Sequence, residues 1–86
     1  MKVTSESIER INQIAIGYGL STVEQVLADL EPLEVKGEDV PKYILKCEER
    51  VDAMTVKFFF GDKAEQMTAI QIMVRYCARA IQFIKM

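Results

Sequence analysis

The chain has no histidine and no tryptophan, and only two prolines and four glycines among its 86 residues. Without histidine, the commonest general base near neutral pH and the commonest nitrogen ligand for a metal are both missing. The two cysteines, Cys47 and Cys77, lack CxxC spacing and do not make a zinc site. Gly17-Tyr18-Gly19 has no strand–turn–helix context, so no Gly-rich phosphate loop is present. The scarcity of glycine and proline, without clustered turn signals, argues against an all-β fold. No apolar run approaches the roughly 18 residues of a transmembrane helix. The first residues, Met1 to Ser7, lack the apolar core of a signal peptide. The cytoplasm is therefore the expected compartment, with the cysteines as core thiols rather than a bridge.

Half of the residues are apolar, enough for a folded core, and the length suits a single domain over 1–86. Residues 1–40 carry three basic and eight acidic side chains, and residues 41–86 carry eight basic and five acidic ones. The scattered cations of the last segment are too few for a DNA- or RNA-binding stripe, although they suit a smaller anion or an acidic neighbour.

Residues 41–86 read as an α-hairpin. Ile44, Cys47, Val51, Met54 and Phe58 recur in steps of three and four, and so do Met67, Ile70, Val74, Cys77, Ile81 and Ile84. These are the apolar seams of helices that pack along their length. Pro41 suits a first helical turn. Gly61 is expected to end the first helix in the left-handed conformation open to glycine. Asp62, with Glu65 three residues on, forms a capping box for the second. Folding about Gly61 sets Phe58 near Met67, Val51 near Val74 and Cys47 near Cys77. The last helix carries a second apolar stripe (Ala69, Ile72, Met73, Tyr76, Ala80 and Phe83), whose expected cover is another copy of the chain.

Residues 1–40 read as two short helices and a connecting loop. Ser5 or Ser7 is expected to cap the first helix. Ile8, Ile11, Ala15 and Tyr18 line its inner face, Ile14 and Ile16 widen it, and Gly19 follows its end. Ser21-Thr22-Val23-Glu24 is the expected capping box of the second, which buries Val23, Val26, Leu27 and Leu30 and stops before Pro32. Glu31 to Val40 is an acidic, irregular connection. The fold class is all-α, assembled as a homo-oligomer.

The chemistry available favours binding over catalysis. Glu48, Glu49 and Asp52 share a helix side with Lys46 and Arg50, and read as an ion-paired solvated face rather than an acid–base pair. Met54, Met67 and Met73 fit core filling. Tyr43 beside Lys42 sets an aromatic face next to a cation. Arg75 and Arg79 lie one turn apart with Tyr76 adjacent, in the residue chemistry that holds phosphates and bases.

The run Gly61-Asp62-Lys63-Ala64-Glu65-Gln66-Met67-Thr68, with Tyr76 and Ala80-Ile81 further on and Pro41-Lys42-Tyr43 before it, resembles a family of small phage proteins. These sequester the cyclic nucleotide signals of bacterial CBASS and Thoeris defence. The resemblance spans residues 41–86; Gly61 stands where the family has Arg, and Ala78 where it has Asn. It implies a compact oligomer, often a hexamer, that binds cyclic di- or trinucleotides between protomers in the host cytoplasm without cleaving them. From the residues themselves, no catalytic residue, cofactor, metal, nucleic acid or membrane is expected. Lys42, Lys36, Arg75 or Arg79 would then meet phosphates, and Tyr43 or Tyr18 would stack on a base. The competing expectation is a small helical interaction protein, an immunity-type inhibitor or a phage assembly factor, that binds a protein partner through its acidic first half.

Overall fold

A computed structural model describes residues 1–84; the last two residues of the 41–86 segment lie outside the described residues. The described chain is all-helical. In order, it runs α1 (Ser5–Gly17), α2 (Val23–Asp29), a single 3-10 turn (Gly37–Asp39), α3 (Val40–Phe60) and α4 (Lys63–Ile81). None of these helices is long and apolar enough to cross a membrane.

The helix ends follow local chemistry, with three departures from the expected caps. Thr4, not Ser5 or Ser7, caps α1: its hydroxyl accepts from the Ser7 N–H, and the Ser7 side chain accepts from the Thr4 N–H. Thr22 caps α2 with Gln25 in the reciprocal position, one residue later than expected. A serine, threonine or glutamine at these adjacent positions satisfies the same free N–H groups, so the sequence alone does not separate the two registers. The third departure is Gly61. Asp62 and Glu65 do exchange the expected capping hydrogen bonds (2.9 and 3.2 Å). Gly61, however, has φ −91° and ψ 164°, which is extended backbone open to any residue. Glycine is needed there for space: a Cβ would lie 2.7 Å from the Lys57 carbonyl oxygen and 2.8 Å from Glu65 Cβ. Gly19 has the positive φ of 72° that Gly61 lacks. Around it, Leu20 N–H donates to Ala15 O (2.8 Å) and Gly19 N–H to Ile16 O (3.0 Å), the paired bonds of a Schellman ending.

α3 and α4, joined by two residues, pack along each other; Cys47, Val51 and Met54 of α3 and Ile70, Val74 and Cys77 of α4 are buried. α4 is also packed by α1 and α2, so it is the central helix. Its second stripe is covered from inside the chain: Ala69, Met73 and Ala80 are buried, with Ile72, Tyr76 and Phe83 half-buried. The cover expected from another copy is thus supplied within the chain: α3 meets this stripe through Met54 beside Ala69 and Ile72, Arg50 beside Tyr76 and Tyr43 against Phe83, while α1 and α2 add Ile8, Ile11, Ala15 and Val23 to the core.

Polar contacts fix the small helices. Asn12 bridges α1 to α2, accepting from the Val23 N–H and donating to Glu24 (both 2.8 Å). Tyr18 donates to Gln66 Oε1 (2.8 Å), while Gln66 Nε2 donates to the Phe58 carbonyl (3.0 Å). The N-terminal segment lies on α3: Val3 is buried and its N–H donates to Glu48 (2.9 Å), and the terminal ammonium pairs with Asp52.

Ile16 points outward, 63 % exposed, instead of widening the α1 face. α4 ends at Ile81, before the expected seam residue Ile84. Phe83 and Ile84 close i→i−3 turns onto Ala80 and Ile81, which turns the Phe83 ring edge-on to Tyr43.

Candidate functional site

The surface of α3 that faces away from α1 and α2 forms the floor of an open groove toward α4. Tyr43, Lys46, Arg50 and Ala53 of α3 and Tyr76 of α4 line about 440 Å³, with Cys47 and Glu49 at its edges. The spacing 43, 46, 50, 53 is that of one helical face. A second concavity of about 400 Å³ continues from it toward the start of α3, sharing Tyr43, Lys46 and Glu49 and adding Val35, Asp39, Lys42 and Leu45. Each volume suits a small-molecule site.

The two tyrosines are held from behind. The Tyr43 ring meets Phe83 edge-on, centroids 5.4 Å apart. Burial pushes its hydroxyl pKa up, the Cys47 thiol adds to the rise, and Arg79 works against it. The Tyr76 ring carries the Arg50 guanidinium 5.7 Å from its centroid, an arrangement that holds the cation over the groove. Cys47 is buried, and burial raises its thiol pKa, so it stays protonated and a weak nucleophile near neutral pH.

Charge is unbalanced here. Lys42, Lys46, Arg50 and Arg79 gather around the groove, against Asp39 and Glu49. The ion pairs among the described residues are Met1–Asp52 and Glu6–Arg10, so none of the four cations is engaged in one. This corrects the ion-paired face expected around Lys46 and Arg50. Glu48 and Asp52 turn to the N-terminal segment instead, because its free N–H groups and ammonium need acceptors. No cluster of three metal-ligating side chains occurs among the described residues.

The expected site residues divide accordingly. Tyr43 and Lys42 line these spaces, and Arg79 stands beside Tyr43 without lining either. Lys36 is exposed just before the 3-10 turn, next to Val35 of the second concavity, and lines neither space. Arg75 is exposed on α4 and also lines neither. Tyr18 is not in the groove: its hydroxyl is bonded to Gln66 and its ring meets Phe58 edge-on at 6.1 Å, tying α1 to the α3–α4 pair.

Sequence reasoning missed Lys46, Arg50 and Tyr76 as a set. The signal was available in the seam register. If Cys47 lies level with Cys77, then Arg50 falls level with Val74, within one turn of Tyr76, and Tyr43 level with Ile81 at the end of α4.

No protein-family model matches the chain, and neither curated proteins nor solved structures provide a match.

Proposed function

We propose that the chain binds a phosphate-bearing nucleotide in the α3–α4 groove and holds it without cleaving it. The observation that carries this reading is Lys46 and Arg50 in the groove, Lys42 in the concavity that continues it and Arg79 beside Tyr43, all without ion-pair partners among the described residues and next to two anchored tyrosines. Arg50 and Arg79 suit bidentate phosphate contacts, Lys42 and Lys46 supply point charge, and the exposed part of the Tyr43 ring offers a base a stacking face. The groove contains no histidine, and its one thiol is protonated, which favours retention of the ligand over turnover.

The resemblance of residues 41–86 narrows the ligand to cyclic di- or trinucleotides. The biological role is then sequestration of a bacterial defence messenger by a homo-oligomeric sponge encoded by a phage. Sequestration works by mass action, requiring sites in excess of messenger and a Kd well below its concentration.

Titration calorimetry with a panel of cyclic di- and trinucleotides, followed by mass analysis of the recovered ligand, tests the proposal. Binding of at least one ligand, recovered unaltered, is expected. Arg50→Ala should weaken it about 10- to 100-fold through a lost charge-assisted contact. A panel that does not bind, or a ligand returned as product, refutes it.

A second reading, a helical protein that binds a protein partner, is favoured by one observation: α3 exposes Leu45, Val56, Phe59 and Phe60. Partner binding that persists at saturating cyclic nucleotide would favour it over the first.

A further inference from the structure

We propose that the outer face of α3 is a self-complementary interface, on which a second copy lays its own α3 antiparallel, with the two-fold axis passing at Ala53. This goes beyond the nucleotide reading and does not depend on it.

The face is opposite the buried Cys47–Val51–Met54 seam. Lys46, Glu49, Ala53, Val56 and Phe60 follow one another in steps of three and four, the spacing of a helix-packing stripe. Phe60 is 88 % exposed, and Val56 and the flanking Leu45 are each more than half exposed; Phe59 lies on the side of α3 toward the N-terminal segment. Among the described residues no other helix covers this stripe: the helix-level contacts of α3 are with α4 and the 3-10 turn, and the N-terminal segment lies on its Glu48–Asp52 side.

The choice of a second copy as occupant comes from symmetry of sequence about Ala53. An antiparallel two-fold pairs residues equally distant from its axis. Four residues to either side stand Glu49 and Lys57, so each acid meets the partner's Lys57 and each lysine the partner's Glu49. Seven residues out stand Lys46 and Phe60, so the lysine stem lies along the partner's Phe60. Eight residues out, Leu45 meets the partner's Gly61, where there is no side chain to oppose it. Ala53 meets itself, which permits close approach. A parallel pairing would set Lys46 on Lys46 and Lys57 on Lys57. Within one chain Glu49 and Lys57 are two turns, about 12 Å, apart along the helix, and neither has an ion-pair partner among the described residues.

The area also fits. An exposed aromatic side chain offers on the order of 150 Å², so Phe60 with the smaller Leu45 and Val56 gives roughly 300 Å² of apolar surface, to which the stems of Lys46 and Lys57 add. A standard interface takes about 800 Å² from each partner, of which about 56–65 % is apolar. Lys46, Glu49 and Ala53 belong both to this face and to the groove. The partner's Phe60 therefore seats beside Lys46 at the groove mouth and adds an apolar wall to it.

Sedimentation equilibrium on the full chain tests the proposal, with circular dichroism confirming that each variant stays helical. The wild type should form dimers or larger even-numbered assemblies. Glu49→Lys and Lys57→Glu each place like charges across the axis twice and should raise the dimer Kd about tenfold or more. The double variant restores opposite pairs only between copies, and should return the Kd to within about threefold of wild type. Ala53→Cys should form an intermolecular disulfide on mild oxidation, whereas the exposed control Ile16→Cys should stay uncrosslinked. A monomeric wild type, a Phe60→Ser variant that associates unchanged, or a double swap as weak as the single variants overturns the proposal.

Discussion

Gly61→Ala separates two physical roles that glycine can have at a helix boundary. At φ −91° alanine has no backbone penalty, so any loss of stability must come from the added methyl. That methyl would lie 2.7 Å from the Lys57 carbonyl oxygen and 2.8 Å from Glu65 Cβ. One neighbour is backbone and the other is the root of the side chain that completes the Asp62 capping box, so neither can swing away. Forcing extra volume into such a site costs about 1–3 kcal/mol, and the lower entropy of the unfolded alanine chain offsets about 0.4–1 kcal/mol of that. The net loss is about 1–2 kcal/mol, or a fall in Tm of roughly 5–15 °C for a domain of this size. Thermal and urea unfolding followed by circular dichroism, at fixed protein concentration because association shifts Tm, would measure it.

Asparagine sharpens the comparison, since it tolerates the left-handed conformation but carries a Cβ. Gly61→Asn should therefore be as damaging as Gly61→Ala, while Gly19→Asn, at φ 72° with no atom within 4 Å of its Cβ position, should be tolerated better than Gly19→Ala. Gly17→Ala, in open space at the end of α1, should be neutral or stabilise by up to about 1 kcal/mol. If Gly61→Ala unfolds at or above the wild-type temperature, the close approach of α3 and α4 at the turn is not what fixes glycine there.

Three further outcomes are expected. Tyr18→Phe removes the hydrogen bond to Gln66 and should lower stability by about 1 kcal/mol without changing nucleotide affinity; an affinity loss in calorimetry would return Tyr18 to the ligand site. Ile70→Ala, at a fully buried position on the central helix, should cost about 2–5 kcal/mol in urea unfolding, and a smaller loss would mean that the α4 core collapses around the gap. The Cys77 thiol is pushed up from 9.0 to about 12, chiefly by burial and then by Cys47. The folded state thus keeps a proton that the unfolded state releases, so stability is intact below pH 9 and falls as pH rises from there toward about 12, by at most about 1.4 kcal/mol per unit. Thermal midpoints over that range should fall less steeply for Cys77→Ala, and equal slopes would refute the assignment.

The helical class was legible because the seams of residues 44–58 and 67–81 are long and regular, and because Asp62 and Glu65 can satisfy one helix start in only one register. Legibility failed where adjacent residues offer the same chemistry. Thr4 and Ser5 compete for one cap, and Ser21 and Thr22 for another, and tertiary contacts such as Asn12 on Val23 N–H decide between them. The candidate groove was half legible. Tyr43 and Lys42 stand out in sequence as an aromatic beside a cation, and Arg79 as a cation on a mostly apolar helix. Lys46 and Arg50 were hidden by the acids around them, since local spacing made pairs with Glu48 and Asp52 reasonable. Only the fold reveals that the N-terminal segment takes those two carboxylates and leaves the cations free.

The same competition for partners relocates the association surface. A helix apolar around most of its circumference must be covered, and for α4 the sequence suggested a neighbouring copy. In the structure α3 meets Ile72, Tyr76 and Phe83, and the short α1 and α2, which have little core of their own, pack on α4 and bury Ile11, Ala15 and Val23. Their use there leaves nothing to cover α3, whose outer stripe is less apolar and so less conspicuous in sequence. That stripe alternates Lys46, Glu49 and Lys57 with Ala53, Val56 and Phe60, a pattern that reads as a solvated face until its residues are counted outward from Ala53. An interface with paired charges and one protruding phenylalanine from each copy need not be as apolar as a core, because it has only to outcompete water on a surface that is already folded.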